Sequence, residues 1–325
     1  MRQNFKSYMA AELNAYMEYR RGLGYVGTNL LAPLRAFDRY LLKTGDPGQR
    51  LPPSFFLEMR DSLQKNPKSV NSLLSALRGF FLFLVRQGLY EHSPVEDIPP
   101  LPVRAYVPFV FSPSQVEQLL QAASGCIRKT DAFFLQDLAN YVVIVLLARC
   151  GMRHREPLRL FNEHYRPGEG TLYIEKTKFK KDRLIPVPKQ ALREMENYRT
   201  TRKTLLPGDD NPHLFVGMER TVLRMGDVYP FFYKAVKAMG LEKKEYVLAD
   251  LTFGSVRPHS LRHSFAINTL KRIRGQGKDP QNALPVLSAY MGHAKYQYTA
   301  AYLKVLDAEN LQGLIGFAKS QLDLV

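Results

Sequence analysis

Pro94-Val-Glu-Asp-Ile-Pro-Pro-Leu-Pro-Val-Arg-Ala-Tyr-Val-Pro108 sets the layout of this chain. Proline has no amide N–H and pushes the residue before it toward extended backbone. A stretch this rich in proline therefore reads as an extended linker rather than part of a helix or sheet. Directly after it, Ser112-Pro113-Ser114-Gln115 has the form of a helix start, with Ser112 or Ser114 as the cap and proline in the first turn. The boundary falls near residue 107, giving domains 1–106 and 107–325. A chain of 325 residues is long for one core and suits two.

Upstream of the linker the spacing predicts four helices, over residues 7–21, 28–44, 54–64 and 69–87. The last carries a strong apolar stripe of Leu73, Leu74, Leu77, Phe80, Phe81 and Leu84, a pattern that belongs to a core face. Downstream, residues 131–150 form a long apolar helix that ends at Gly151. One segment there has a different rhythm. Residues 171–175 and 183–187 read as two short strands, and the turn between them holds Lys176, Lys178, Lys180 and Lys181. A lysine-rich hairpin tip suits contact with a phosphate backbone, although a solvated charged turn has the same composition. The expected fold is mainly α, with a small β-hairpin or sheet in the second domain.

The formal net charge is +16, and the sequence pI is about 9.7. Residues 1–105 carry 14 basic and 9 acidic side chains, and the remainder carries 32 and 21. The excess is spread over both domains rather than held in a tail, which suits a protein that faces a polyanion along its length. Cys126 and Cys150 show no zinc-site spacing and fit a reducing cytoplasm. The N-terminus has no apolar signal core, and the longest unbroken apolar stretch, Tyr141–Ala148, is too short to span a membrane.

Four separated segments carry chemistry. Gly151-Met-Arg-His-Arg-Glu156 places Arg153 near the start of a short helix, where it can fork onto two phosphate oxygens, with Glu156 spaced to orient it. The lysine hairpin is the second. In Pro258-His-Ser-Leu-Arg-His263, His259 and Arg262 share a helix face, and His263 lies one turn beyond His259. A metal pair at His259 and His263 lacks the acidic partner of an H-E-x-x-H helix. The fourth segment is Tyr290-Met-Gly-His293 with Tyr302, and it also holds Tyr296 and Tyr298. Tyrosine is a poor nucleophile near its ordinary pKa of about 10, so it needs positive groups around the phosphate it attacks.

Taken in order, Arg153, the hairpin lysine, His259-x-x-Arg262, Gly292-His293 and Tyr302 resemble the signature of the tyrosine recombinases, the phage integrase family. In that family the nucleophile stands nine residues beyond the Gly-His histidine, which selects Tyr302. The hairpin lysine stands three residues before a Lys-x-Arg-hydrophobic-hydrophobic-Pro strand. Lys181-Asp-Arg-Leu-Ile-Pro186 matches that strand and selects Lys178, with Lys176 and Lys180 as rivals. The resemblance implies a helical, SAM-like core-binding domain over 1–106, a catalytic domain over 107–325, and a two-domain C-shaped clamp on double-stranded DNA. It also implies strand cleavage and rejoining through a 3′-phosphotyrosine, with no cofactor or metal, because the phosphotyrosine retains the bond energy.

Catalytic residues are then Tyr302, Arg153, Lys178, His259, Arg262 and His293, with Glu156 in support. The expected assembly is a homotetramer on synapsed DNA and a monomer free in solution, acting in the cytoplasm on the nucleoid and not at a membrane. The terminal segment, Asp307–Val325, has an amphipathic pattern that fits a helix docked either on its own core or on a neighbouring subunit. Two further readings share these residues: relaxation of supercoils by type IB topoisomerase-like chemistry, and DNA binding without catalysis. The Thr177-Lys-Phe-Lys180 turn and the Leu287–His293 run resemble integrases of mobile elements more than chromosome resolvases.

Overall fold

The computed structural model describes residues 5–25, 28–45, 50–175, 182–218, 221–242, 244–248, 251–293, 296–303 and 305. The chain forms two compact units, Met1–Arg104 and Ala105–Val325. Lys178 and its rival lysines, together with the terminal segment 307–325, lie outside the described residues.

The first unit holds α1 (Ala10–Gly22), α2 (Thr28–Thr44), α3 (Pro53–Ser62) and α4 (Pro67–Arg86). Helix α1 starts three residues later than its pattern predicts. The Asp38 carboxylate captures the backbone N–H groups of Lys6 and Ser7 at 2.8–3.1 Å, which pins that stretch outside the helix. Leu77, Phe80 and Phe81 on α4 are fully buried against Phe37 and Phe56. By length and apolar content α4 could cross a membrane, so the apolar run over 141–148 is not the chain's strongest such candidate. Its stripe is instead spent on this unit's own core, which also takes in Val95 and Ile98.

The proline-rich segment is ordered by contacts along its length. The Asn71 side chain donates to the Leu101 carbonyl and accepts from the Leu101 N–H, both at 2.8 Å, and Arg78 Nε donates to the Val95 carbonyl. Beyond Arg104, residues Ala105–Val107 form β1 of the second unit. Reading 94–108 wholly as linker missed this strand, because its partner, β6 (Leu251–Phe253), is far along the chain.

In the second unit, Ser112 caps α5 (Pro113–Gly125) through a reciprocal pair with Gln115. Helix α6 (Phe134–Cys150) is apolar on nearly every side and packs between α7 (Lys189–Leu205), α8 (Met225–Ala238) and α9 (Pro258–Gly275). An antiparallel sheet joins β2 (Tyr165–Arg166), β3 (Thr171–Ile174) and β4 (Arg183–Pro186), with Ile174 opposite Arg183. A second sheet runs β1-β6-β5, with β5 at Tyr246–Leu248. The β5–β6 hairpin has no counterpart in the sequence reading. Helix α10 (Leu284–Met291) and the helical residues 297–303 pack on α9 around Ile267, Leu270 and Leu287.

Candidate active site

Two helix ends build the site. Both α6 and α10 terminate at a glycine in the left-handed region, Gly151 at φ 55° and Gly292 at φ 65°. A helix end leaves its last carbonyls without amide partners and concentrates partial negative charge there. At α10 three successive carbonyls each accept a different arginine. Arg183 Nε donates to the Tyr290 carbonyl at 2.7 Å, Arg262 Nη2 to that of Met291 at 2.7 Å, and Arg153 Nη2 to that of Gly292. The second Nη of Arg262 donates to the Gly151 carbonyl at 2.8 Å and so joins the two helix ends. Glycine at 292 is required twice over. Its backbone is left-handed, and a Cβ would stand 2.9 Å from Arg183 Nη1.

Glu156 lies beneath this cluster. Its carboxylate accepts from Arg153 Nη1 (2.8 Å) and the Arg153 N–H (2.8 Å), and from Arg183 Nη1 and Nη2 at 3.0 and 2.8 Å. Burial pushes this carboxyl up, but the hydrogen bonds and charge of Arg183, reinforced by Arg153, overrule it and hold the group down at about 2. Arg262 is 2% exposed and among the described residues forms no ion pair, being held by carbonyls alone. Burial, then repulsion from Arg153, lowers it to about 10, so it stays charged at neutral pH. Arg153 and Arg183 thus share one carboxylate and Arg262 has none, so the three guanidiniums leave two positive charges for an anion to meet.

The expectation that Arg153 opens a short helix does not hold. Arg153 sits in a turn, and the next helical residues are the 3-10 turn Pro157–Arg159. Pro157 can only begin such a turn, and the Glu156 carboxylate already takes the Arg153 amide.

Of the three tyrosines, Tyr302 is 6% exposed, while Tyr296 and Tyr298 are 46% and 53% exposed. Burial raises the Tyr302 pKa, and Arg262 and Arg153 pull against it. Its hydroxyl lies 3.2 Å from His263 Nδ1. The His293 ring stacks on the Tyr302 ring at 6.2 Å, and its Nδ1 is 2.7 Å from Oγ1 of the buried Thr299. His259 packs edge-on to His263 at 4.7 Å, with His154 a further 5.9 Å away. Lost hydration on its packed side, then His263, Arg262, His154 and Arg153, push His259 down to about 3. Burial, then Arg262, takes both His263 and His293 to about 4. Each of these shifts favours the neutral imidazole, although His259 itself is exposed. Among the described residues no three His, Cys, Asp or Glu are grouped to hold a metal ion.

The structure therefore brings together Arg153, Glu156, His259, Arg262, His293 and Tyr302. It adds Arg183, His263 and Thr299, which the sequence reading gave no role at the site. Arg183 had appeared only as part of the strand that aligned the hairpin. His263 had been weighed only as half of a metal pair.

Residues 110–309 match the phage integrase family. The chain belongs to that family. As a tyrosine recombinase it is an enzyme that cuts and rejoins DNA strands. It is similar to the tyrosine recombinase XerA of Pyrococcus horikoshii, 28% identical over 278 residues that cover 84% of this chain and 82% of that one. In fold it resembles the XerH site-specific recombinase in a post-cleavage complex with palindromic difH substrate, at a TM-score of 0.66 and 17% identity, covering 90% of this chain and 79% of the other. It also resembles a lambda integrase tetramer bound to a Holliday junction, at a TM-score of 0.64 and 17% identity, covering 90% and 76%.

Proposed function

We propose that this recombinase acts at specific duplex sites, with Tyr302 as the nucleophile. The observation that carries the reading is the convergence of Arg153, Arg183 and Arg262 on three successive carbonyls at the end of α10, with only the Glu156 carboxylate among them, beside a buried tyrosine of the same chain. Such a cluster is short of negative charge, and a phosphodiester supplies it. Arg153 and Arg262 clamp the non-bridging oxygens as negative charge builds on them. Arg183 and Glu156 hold Arg153 in place. Tyr302 Oη bonds to phosphorus as the bond to the 5′ oxygen breaks, leaving a 3′-phosphotyrosine. Lys178 protonates the departing 5′ oxygen, His259 contacts the phosphate, and His293 orients Tyr302 and the phosphate. A 5′-hydroxyl from a partner duplex then reverses the step. No nucleotide is consumed, because the bond energy stays in the phosphotyrosine.

The first unit, expected over residues 1–106 and ending at Arg104, acts as the core-binding domain, and the protein works as a homotetramer on synapsed DNA. The DNA-bound tetramer of lambda integrase, which has this fold, supports that assembly. The reading places the protein at the nucleoid, in the service of a mobile element. A duplex site recovered from random-sequence DNA by covalent capture, then nicked as a suicide substrate, gives the test. Tyr302→Phe should bind this DNA with near-normal affinity and trap none of it. Continued trapping would move the nucleophile to Tyr296 or Tyr298.

A further inference from the structure

The Tyr302 hydroxyl is hydrogen-bonded to His263, one residue past Arg262 on α9. His259, one turn earlier, faces the His263 ring. His293 meets Tyr302 ring to ring, at 29° with centroids 6.2 Å apart, and its Nδ1 is engaged by Thr299, whereas the Tyr302 hydroxyl is directed to His263. We propose that His263 accepts the Tyr302 proton during cleavage and returns it during rejoining, while His259 serves the phosphate. This rests on Tyr302 being the nucleophile.

The step balances. Tyr302 Oη forms its bond to phosphorus as the bond from phosphorus to the 5′ oxygen breaks. The Oη proton passes to His263 Nδ1. For Nδ1 to accept, Nε2 carries the resting proton, so the product is an imidazolium. The 5′ oxygen takes a separate proton from the general acid, assigned to Lys178. In the reverse step the 5′-hydroxyl attacks and gives its proton back to that acid, and the imidazolium reprotonates the departing tyrosinate.

The surroundings make the base depend on substrate. Around His263 stand Arg262 and His259 on α9, His293 after α10 and Tyr302 on the following helix, with Arg153 and His154 after α6 facing His259 behind it. Burial, Arg262 and His293 keep the ring neutral, ready to accept but weakly basic. A bound phosphodiester offsets Arg262 and Arg153 and so raises its basicity at the moment of attack. The free enzyme is thereby spared a tyrosinate that could react elsewhere.

The test is single-turnover covalent trapping by the full chain on the nicked suicide substrate. His263→Gln should bind DNA within about twofold of the parent and trap it ~10²–10⁴-fold more slowly, the span expected for a lost general base. Its rate should climb with pH between 7 and 9, as hydroxide takes over proton removal, while the parent's stays flat. Added imidazole should restore His263→Ala. A substrate with sulfur at the bridging 5′ position, whose leaving group needs no proton, should rescue Lys178→Ala and leave His263→Gln slow. Trapping by His263→Gln within threefold of the parent, or its rescue by the sulfur substrate, overturns the proposal. If Tyr302→Phe still traps, the reading beneath it fails instead. If Tyr302→Phe is dead and His263→Gln is fully active, only the role of His263 is lost.

Discussion

Replacing Glu156 by glutamine keeps the shape of the side chain and removes the carboxylate that Arg153 and Arg183 grip. The carboxyl is held at about 2 against an ordinary 4.5. At ~1.4 kcal/mol per pH unit, that gap corresponds to ~3 kcal/mol of folding stability at neutral pH. Breaking a buried ion pair by removing one partner costs about 3–5 kcal/mol, which agrees. For a unit of this size each kcal/mol moves the melting temperature by about 2–4 °C, so Glu156→Gln should melt about 6–12 °C lower at pH 7. The sign with pH follows from a depressed carboxyl. The stabilisation is complete above the unfolded value of 4.5 and drains away as pH falls toward about 2. Thermal melts followed by circular dichroism, for parent and variant, should therefore show a constant gap from pH 5 to 8 that closes below 4.5. A gap under ~2 °C at pH 7, or one that persists undiminished at the lowest pH at which the parent still folds, would refute the reasoning.

Other perturbations probe the frame around that carboxylate. Gly292→Ala forces an L-residue into a left-handed backbone and drives a Cβ at Arg183. It should cost about 1–3 kcal/mol and slow covalent trapping more than it weakens DNA binding, as read by melts and trapping rates on one preparation. Arg202→Met removes a buried guanidinium that ties Asp209 to the carbonyls of Asn211, His213 and Leu214. It should destabilise by about 3–5 kcal/mol yet leave the trapping rate per folded molecule unchanged below the variant's melting range. With a net charge of +16, log Kd for the duplex should rise linearly with log salt concentration, and a gel-shift titration with no salt dependence would contradict phosphate-led binding.

Much of this site could be read before any coordinates, because a short motif fixes spacing and spacing fixes a helix face. His259 and Arg262 had to share a side of α9, and Gly151 marked a helix end. The α4 stripe announced a core for the same reason: period 3.6 is local information. Long-range pairing left no such trace. Strand β1 pairs with β6, whose Leu251 lies 146 residues beyond Ala105, so its residues looked like linker. The three α10 carbonyls that gather Arg153, Arg183 and Arg262 are backbone atoms and carry no sequence letter. His263 was visible but misjudged. One turn from His259, it was weighed only as half of a metal pair that lacks an acidic partner, and only the fold of residues 297–303 against α9 brings Tyr302 to its Nδ1.

The central claim is that Tyr302, and no other tyrosine, carries the DNA. Trypsin should release residues 296–304 as one peptide holding Tyr296, Tyr298 and Tyr302. Trapping the parent on suicide DNA, digesting both polymers and fragmenting that peptide in a mass spectrometer locates the nucleotide remnant directly. The account predicts a phosphonucleotide on Tyr302 alone. A remnant on Tyr296 or Tyr298, both exposed and away from the His263 hydrogen bond, would contradict it.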